Sequence, residues 1–200
     1  MKRDFIGASD IPILLGLDPY NTEEDLVARI LHDIQKEKSP ELQAMADRGT
    51  KAEPGLLSSY EAVFGVLLER KFRQAHPEYP FIGAAPDGVW LPDRRVLVEC
   101  KTRHRRAQMA KDPAKKFGWA GSADVPAKYA AQCQLQMECC DADECQMWVA
   151  FGEDLEDGSW RTDWLARYVL PRDRDFGANL VAVAVDFWTR RIAPFRAEAA

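Results

Sequence analysis

The sequence predicts a single α/β domain over residues 1–200, with its folded core between about residues 6 and 192. Short apolar segments of strand type occur between longer segments with helical periodicity, and this combination is typical of the α/β class. A chain of 200 residues is long enough to bury one hydrophobic core. No internal repeat, low-complexity tract or linker divides the sequence, so we expect one domain.

The composition predicts a globular protein that remains in the cytoplasm. Hydrophobic residues make up 46% of the chain and charged residues 30%, which is close to the average for soluble domains. No apolar run is long enough to span a membrane, and Met1–Asp4 lacks the apolar core of a signal peptide. We therefore expect no membrane partner.

The net charge of -5 argues against a protein that coats nucleic acid without specificity, but it leaves room for a local basic cleft. Basic residues are concentrated in one short segment in which Asp112 is the single acid: Lys101, Arg103, Arg105, Arg106, Lys111, Lys115 and Lys116. A phosphate-binding surface and a solvated loop both fit this pattern.

The first third of the chain predicts helices. Ile6–Leu17 reads as a turn and a short helix with Ser9 or Asp10 as its N-cap. Because a helix N-terminus also binds phosphate, Ser9 has a second interpretation as a phosphate contact. Another helix is predicted to begin after Thr22, with its apolar face formed by Leu26, Ile30 and Ile34.

A longer helical region is predicted from Ser39 to Gly65. Pro54 lies inside it, which predicts either a kink or a new helix start near Glu53. Glu53 would then either cap the second helix or face a functional site.

The remaining elements alternate strands with helices. Strand-like segments are Val66–Phe72, Phe81–Ala84, Gly88–Leu91, Val96–Cys100, Gln146–Phe151 and Trp164–Leu170. The basic segment after the fourth strand is predicted to be a mobile loop. Helices are predicted over Ala127–Cys139, with a partly solvated face at Gln132, Gln134 and Gln136, and from Asp173 to Ile192.

The segment Ala85–Lys101 carries the strongest candidate site. Glu99 and Lys101 lie near the end of its second strand and project to one face, while Cys100 projects to the other. Asp87, at the head of the first strand, can approach Glu99 if the turn folds the strands together. Two carboxylates and a lysine around one point suit a Mg²⁺-dependent phosphodiesterase. A cross-strand surface ion pair gives the same pattern, and these residues alone leave both interpretations open.

Other catalytic patterns are absent from the sequence. The five cysteines lack the paired spacing of a zinc site, and we interpret them as reduced interior thiols: Cys100, Cys133, Cys139, Cys140 and Cys145. No histidine has a partner at ligand spacing, and no G-x-S-x-G turn or P-loop occurs.

The motifs, taken in order, resemble the YqaJ-type viral recombinase or phage lambda exonuclease-like branch of the PD-(D/E)xK nuclease superfamily. The resemblance covers residues 6 to about 150 and rests on the following segments: Ile6-Gly7-Ala8-Ser9-Asp10, Arg48-Gly49-x-x-x-Glu53, Pro86-Asp87-Gly88, Glu99-Cys100-Lys101 and Tyr129-x-x-Gln132-x-Gln134-x-x-Met137. Each motif is weak alone, but the five occur in the family order.

This resemblance implies a mixed central β-sheet flanked by helices. It also implies a Mg²⁺- or Mn²⁺-dependent exonuclease that degrades the 5′ strand from an end of double-stranded DNA. The single-stranded product would pass to an annealing protein. A trimeric ring and a phage or prophage origin in the bacterial cytoplasm belong to the same expectation.

The resemblance also implies residue roles. Asp87 and Glu99 would be metal ligands together with the Cys100 backbone carbonyl, and Lys101 would orient the attacking water. Glu53 would reach the metal through water, and Gln132 would lie beside the site. The predicted contacts to DNA are Ser9, Arg48, Arg103, Arg105 and Arg106.

Two positions depart from the family pattern. Ala85 stands where lambda-type members can have a hydroxyl that binds the terminal phosphate, and only Lys2 and Arg3 precede the Ile6 motif as basic residues. Recognition of a 5′-phosphate is therefore a weaker expectation than hydrolysis.

Three alternatives to an exonuclease were weighed: a Cas4-like end processor, an endonuclease and a catalytically inactive DNA-binding scaffold. No cysteine precedes Cys100, which counts against the cluster-binding Cas4-like enzyme. Intact Asp87, Glu99 and Lys101 count against the scaffold, because an inactive site has no reason to keep a like-charge pair.

Overall fold

The computed structural model describes residues 4–109, 112 and 115–197. Lys2, Arg3 and Lys111, which belong to the predicted basic groups, lie outside the described residues. The helices are α1 (Ile11–Leu14), α2 (Glu23–His32), α3 (Pro40–Phe64), α4 (Ala127–Cys140), α5 (Arg174–Phe187) and α6 (Ala193–Ala197). The strands are β1 (Ile6–Gly7), β2 (Leu67–Arg70), β3 (Gln74–Ala75), β4 (Ile82–Ala84), β5 (Gly88–Leu91), β6 (Val96–His104), β7 (Glu144–Asp154) and β8 (Trp160–Pro171).

The central sheet has five strands in the order β2-β5-β6-β7-β8. The β6–β7 pair is parallel and the other pairs are antiparallel, so the predicted mixed sheet is confirmed. The connection between the two parallel strands contains α4, as a parallel crossover requires. A smaller sheet has the order β1-β4-β3, with β1 parallel to β4.

Helix α3 covers one face of the central sheet and α4 covers the other. On the α3 side the buried cluster is Leu56, Leu57, Tyr60, Leu68, Val98, Cys100, Trp148 and Ala150. On the α4 side Tyr129, Cys133 and Met137 pack against buried strand residues that include Leu97, Met147, Val149 and Phe151. The opposite side of α4 packs against α1, α5 and the small sheet through Ala131, Leu135 and Cys139. Helix α4 is therefore enclosed between two layers.

The amino-terminal helices agree with the prediction except at their ends. The Thr22 side chain accepts a hydrogen bond from the Asp25 N–H at 3.3 Å, so the predicted cap is confirmed. Asp33 adopts a left-handed conformation with φ 57° and ends α2, which leaves Ile34 outside the helix and exposed. The prediction that Ile34 belongs to the apolar face was therefore wrong.

Helix α3 runs without a break through Pro54, so no new helix starts near Glu53. Proline removes one backbone donor and costs helix stability. The packing of Leu56, Leu57 and Tyr60 on the sheet immediately after Pro54 offsets that cost. Glu53 accordingly lies inside the helix and caps nothing.

Strand β6 continues to His104, and a 3₁₀ helix (Arg105–Met109) follows it. The prediction of a mobile loop was wrong for these residues, because β6 pairs with β7 along its length as far as the His104–Gly152 position. Strand β3 was not predicted, since Gln74–Ala75 is short and exposed. The last helical segment is interrupted after Phe187 by a π-helical turn (Trp188–Ile192).

Candidate active site

The β5–β6 hairpin brings Asp87 to the carboxyl-terminal part of β6. Gly88 pairs with Val98 and Val89 with Leu97. Asp87 precedes this ladder, and its Oδ2 accepts a hydrogen bond from the Cys100 N–H at 2.7 Å. A Cβ at Gly88 would lie 2.9 Å from Leu68 Cδ1, so glycine lets β5 pack closely against β2 directly after Asp87. The close packing of β5 thus places Asp87 beside Glu99.

Glu99 is buried, with 3% of its surface exposed, and it faces α4. Gln132 donates to its Oε1 at 2.6 Å and Gln136 donates to its Oε2 at 2.8 Å. Lys101 also donates to Oε1. Each carboxylate oxygen has two lone pairs, so these three donors still leave room for one further interaction.

The glutamines of α4 correct the prediction of a solvated face. Gln136 is 1% exposed and Gln134 is 6% exposed, while Gln132 is half-buried. Gln134 donates to the Pro171 carbonyl at 2.9 Å and accepts from the Asp173 N–H at 2.9 Å. Two glutamines therefore serve the site and the third joins α4 to the start of α5.

The predicted alternation along β6 is confirmed. Glu99 contacts α4, whereas the Cys100 side chain lies in the cluster under α3. Burial, followed by the charge of Asp87, raises the pKa of the Cys100 thiol, which keeps it protonated at neutral pH. The backbone of Cys100, rather than its thiol, is the part of this residue that lies beside Asp87.

The charges of the site shift its proton equilibria. Burial, followed by the negative charge of Glu99, raises the pKa of Asp87 to about 7. Burial alone would lower the pKa of Lys101, but the carboxylates of Glu99 and Asp87 raise it above its ordinary value. Lys101 is therefore an ammonium ion at neutral pH, whereas Asp87 is protonated in a fraction of the molecules.

Glu53 lies on α3 at the edge of the site. It lines a cleft of about 310 Å³ together with Asp87, Cys100 and Lys101. Among the described residues it forms no hydrogen bond or ion pair. Its negative charge adds to the rise in the pKa of Asp87. A carboxylate with no protein partner beside two others is suited to a cation or to the waters around one.

The donor set fits a hard divalent cation. Nowhere in the described part of the chain are three His, Cys, Asp or Glu side chains grouped closely enough to hold a metal ion together. The available ligands are carboxylate oxygens of Asp87 and Glu99 and the Cys100 carbonyl, with Glu53 further out. Mg²⁺ binds through one or two carboxylates and retains several waters, so this sparse oxygen set suits it.

Two clefts meet at Asp87, and a third adjoins one of them. The α3 cleft, of about 310 Å³, lies between α3 and the end of β6. The β2–β3 cleft, of about 600 Å³, also contains Glu53 and Asp87, together with Arg70, Lys71 and Arg73. The amino-terminal cleft, of about 610 Å³, shares Arg73 and Ala85 with it and extends to Ser9, Gln132 and Gln136. A long polymer can therefore reach Asp87 from more than one side.

The predicted DNA contacts separate into two groups. Ser9 is exposed in the amino-terminal cleft, and Arg103 lines the α3 cleft. Arg106 is exposed. Arg48, by contrast, is bound to Asp154 at 2.5 Å, and Arg105 is bound to Glu153 at 2.5 Å and to Asp163 at 3.5 Å; neither arginine lines any of the three clefts.

Acidic residues of the β7–β8 hairpin hold Arg48 and Arg105. Arg48 also lies over the Trp160 ring, 4.3 Å from its centroid. Asp10, the other predicted N-cap, precedes α1 but turns back to accept from the Gly7 N–H at 2.8 Å and from Arg29 at 2.6 Å. The partly buried pair Asp10–Arg29 thereby supports the turn that carries Ser9.

Sequence reasoning missed three residues of the site. Gln136 binds Glu99 directly, and its spacing of four from Gln132 was a usable signal of a shared helix face. The Tyr129 ring lies 5.6 Å from the Lys101 Nζ and 5.8 Å from the Arg103 guanidinium. Arg73 lines two of the clefts, and no local pattern marked it.

Comparison with known proteins gives the same family as the motifs. The sequence model of the YqaJ-like viral recombinase domain matches residues 1–143. The chain belongs to this family. No curated protein shows a significant sequence match to it.

Solved structures show the fold of this YqaJ-like chain. The alkaline exonuclease LHK-Exo from Laribacter hongkongensis superimposes with a TM-score of 0.70 at 18% identity, covering 99% of this chain and 93% of that one. The same enzyme in complex with dAMP gives a TM-score of 0.70 at 19% identity, with 98% and 91% covered. A phage-related exonuclease from Haemophilus somnus 129PT gives 0.65 at 15% identity, covering 96% of each chain. The chain therefore shares the fold of these exonucleases.

The described helices include none that is long and apolar enough to cross a lipid bilayer.

Proposed function

We propose that this protein is a metal-dependent exonuclease that resects linear double-stranded DNA in the 5′ to 3′ direction, with Mg²⁺ or Mn²⁺ as its cofactor. The observation that carries the proposal is the grouping of Asp87, Glu99 and Lys101, with Asp87 at the junction of two clefts. Membership of the YqaJ-like recombinase family supports a role in phage-type recombination.

Each residue of the site has a distinct task in this proposal. Asp87, Glu99 and the Cys100 carbonyl would hold the metal ion, and Glu53 would bind one of its waters. The ion would supply an activated water and neutralise the phosphate charge. The Lys101 ammonium group orients the water and stabilises negative charge on the phosphate. Gln132 and Gln136 keep the Glu99 carboxylate in one orientation, as outer contacts of metal ligands commonly do.

Digestion of linear DNA is the direct test. Linear, 5′-phosphorylated duplex DNA is incubated with and without Mg²⁺, and a covalently closed circle serves as the substrate control. We expect loss of the linear DNA alone, only with the metal, and abolished by Asp87→Ala or by Lys101→Ala. Lys36→Ala removes an equal charge far from the site and should leave digestion unchanged, because Lys36 pairs with Asp25.

The same assay separates the alternatives. Cutting of the circle would indicate an endonuclease. Protein that binds DNA and never cuts it would indicate an inactive scaffold. Substrates labelled at one end give the direction, since a 5′ to 3′ enzyme releases the 5′ label first.

Terminal phosphate recognition is a separate part of the proposal. Ser9 lies in the amino-terminal cleft, and Ala85 lines the same cleft without a hydroxyl. Comparison of 5′-phosphorylated and 5′-hydroxyl duplexes measures how much a phosphate contributes. We expect the preference to fall in Ser9→Ala if Ser9 contacts that phosphate.

The basic side chains are tested by salt dependence. Neutralising Arg103 or Arg106 should weaken DNA binding and lower the slope of log affinity against log salt, because each phosphate contact releases bound counterions. If the variants bind DNA with wild-type affinity at every salt concentration, Arg103 and Arg106 are solvated side chains that do not contact the DNA.

Assembly and partners complete the proposal. We infer a homo-oligomer, with the trimeric ring of related nucleases as the expected form, and an annealing protein that receives the single-stranded product. Light scattering on the purified protein measures its mass, and co-purification with an annealing protein encoded nearby tests the partner.

A further inference from the structure

The α3 cleft has two unlike walls. Helix α3 forms one wall with small or flexible side chains and a glycine: Met45, Ala46, Gly49 and Thr50. Two cations, Lys101 and Arg103, lie on the opposite wall with Tyr129, and Lys128 Nζ lies 5.0 Å from the Tyr129 ring. The carboxylates of Glu53 and Asp87 line the same cleft at the candidate metal site. Such a cleft favours an anionic polymer whose backbone must come close to the helix.

Arg103 is the cation best placed for such a ligand. Its Nε is buried and has no hydrogen-bond partner. Among the described residues no carboxylate forms an ion pair with it, whereas Arg48 and Arg105 are both paired. The charge of Arg103 is therefore not neutralised by a described carboxylate, and its side chain lines the cleft.

Gly49 has no structural reason to be a glycine. It lies in the interior of α3, its backbone is not left-handed, and a Cβ added there would meet no neighbouring atom within 4 Å. Glycine weakens a helix interior relative to alanine. Packing and backbone conformation therefore both permit a side chain at this position. The absence of a side chain at Gly49 only leaves more space in the α3 cleft.

We propose that Gly49 is the point of closest approach between α3 and the DNA, where the sugar–phosphate backbone passes between this glycine and Arg103. Gly49 is then a clearance residue that sets how deeply a DNA strand enters the site. This inference rests on the proposed nuclease function and extends it to a residue outside the metal site.

The test uses a matched pair of glycines on the same helix. Gly55 also lies inside α3 and also has no atom within 4 Å of an added Cβ, but it is exposed and lines none of the three clefts. Alanine and glutamine are uncharged and form helices well, so both are placed at each position. The affinity for a short 5′-phosphorylated duplex is measured in Ca²⁺, alongside the thermal unfolding midpoint of each variant.

We expect all four variants to unfold at or above the wild-type temperature. Gly49→Gln should weaken DNA binding about tenfold or more, and Gly49→Ala should weaken it less. Gly55→Ala and Gly55→Gln should bind like the wild type. A defect in affinity without a loss of stability is an effect that a merely structural glycine would not show.

Three results would overturn the inference. If Gly49→Gln binds as tightly as Gly55→Gln while the wild type digests DNA, the DNA does not pass close to Gly49 and the proposed function stands. If Gly49→Gln slows cleavage without changing affinity, the effect lies in the chemistry rather than in clearance. A wild-type protein that neither binds nor digests DNA overturns the proposed function itself and the inference with it.

Discussion

Glu99 shows how one buried carboxylate is held in a single orientation. Lys101 and Gln132 donate to one oxygen and Gln136 donates to the other. An ionised carboxylate accepts on both oxygens, whereas an amide accepts on only one. The side chain at this position must therefore be an acid for all of its contacts to form.

We predict that Glu99→Gln abolishes nuclease activity, by at least about 100-fold, and preserves the fold. The substitution keeps the shape of the side chain but removes a metal ligand and the charge next to Lys101. Digestion of linear DNA and circular dichroism are the two measurements. An unfolded Glu99→Gln protein would instead identify Glu99 as a structural ion-pair partner.

The raised pKa of Asp87 predicts that the free energy of unfolding of the metal-free protein depends on pH. Burial, followed by the charge of Glu99, raises this pKa from the ordinary 3.8 to about 7. The folded state therefore holds the proton more tightly than the unfolded state. Ionisation of Asp87 therefore lowers the free energy of unfolding. This loss of stability is absent below pH 4, grows between pH 4 and pH 7, and is complete above pH 7.

Replacing Asp87 with asparagine should remove this loss of stability. We expect Asp87→Asn to raise the thermal unfolding midpoint at pH 8 in the presence of a chelator, by roughly 2–4 °C for each kcal/mol recovered. At pH 4 the two proteins should differ little. A midpoint below the wild-type value at pH 8 would contradict the assigned shift.

At the scale of elements, α4 has two functions that can be separated by mutation. Gln136 supports Glu99, while Gln134 joins the helix to Pro171 and Asp173. Both side chains are buried, so their substitution by methionine, which is of similar length, removes only polar contacts.

We predict that Gln136→Met lowers the rate of DNA digestion about 10- to 100-fold, as is typical for the outer contacts of a metal ligand. Gln134→Met should lower the unfolding midpoint, because the Asp173 N–H and the Pro171 carbonyl lose their partner. Its rate per folded molecule should stay near the wild-type value. Equal losses of rate in both variants would mean that the helix acts only as a scaffold.

At the scale of the whole molecule, metal binding should be visible as stabilisation. A ligand that binds only the folded state stabilises it by about 2.7 kcal/mol at a concentration of 100 times its Kd. We expect Mn²⁺ or Mg²⁺ to raise the unfolding midpoint of the wild type by several degrees at pH 8. Asp87→Asn should show no such rise, and an equal ionic strength of KCl is the control. An identical rise in both proteins would place the ion elsewhere.

Local sequence patterns predicted most of the helices and strands, and they predicted the face of β6 on which each side chain lies. Alternation along a strand is a property of the backbone, so Glu99 and Cys100 could be assigned to opposite faces before any fold was known. The Thr22 cap was likewise predictable, because its hydrogen bond closes within the same turn. Ile34 was misassigned because a single left-handed residue, Asp33, ends α2 before it.

The partners of the site were less predictable because they come from distant parts of the chain. The rotation of α4 about its axis depends on packing against both the central sheet and the helices behind it. That rotation directs Gln136 to Glu99, 37 residues away, instead of to solvent. The same applies to Arg48, whose partner Asp154 is 106 residues away.

The sequence by itself determined the identity of the acidic and basic groups, the turn that joins their strands and the face on which Glu99 and Lys101 lie. These are local properties of strands and turns. The tertiary structure decided that α3 continues through Pro54 to carry Glu53, and that the glutamines of α4 point inward. It also decided that two clefts meet at Asp87. The physical reason is that burial, ion pairing and pKa depend on neighbours that only the folded chain brings together.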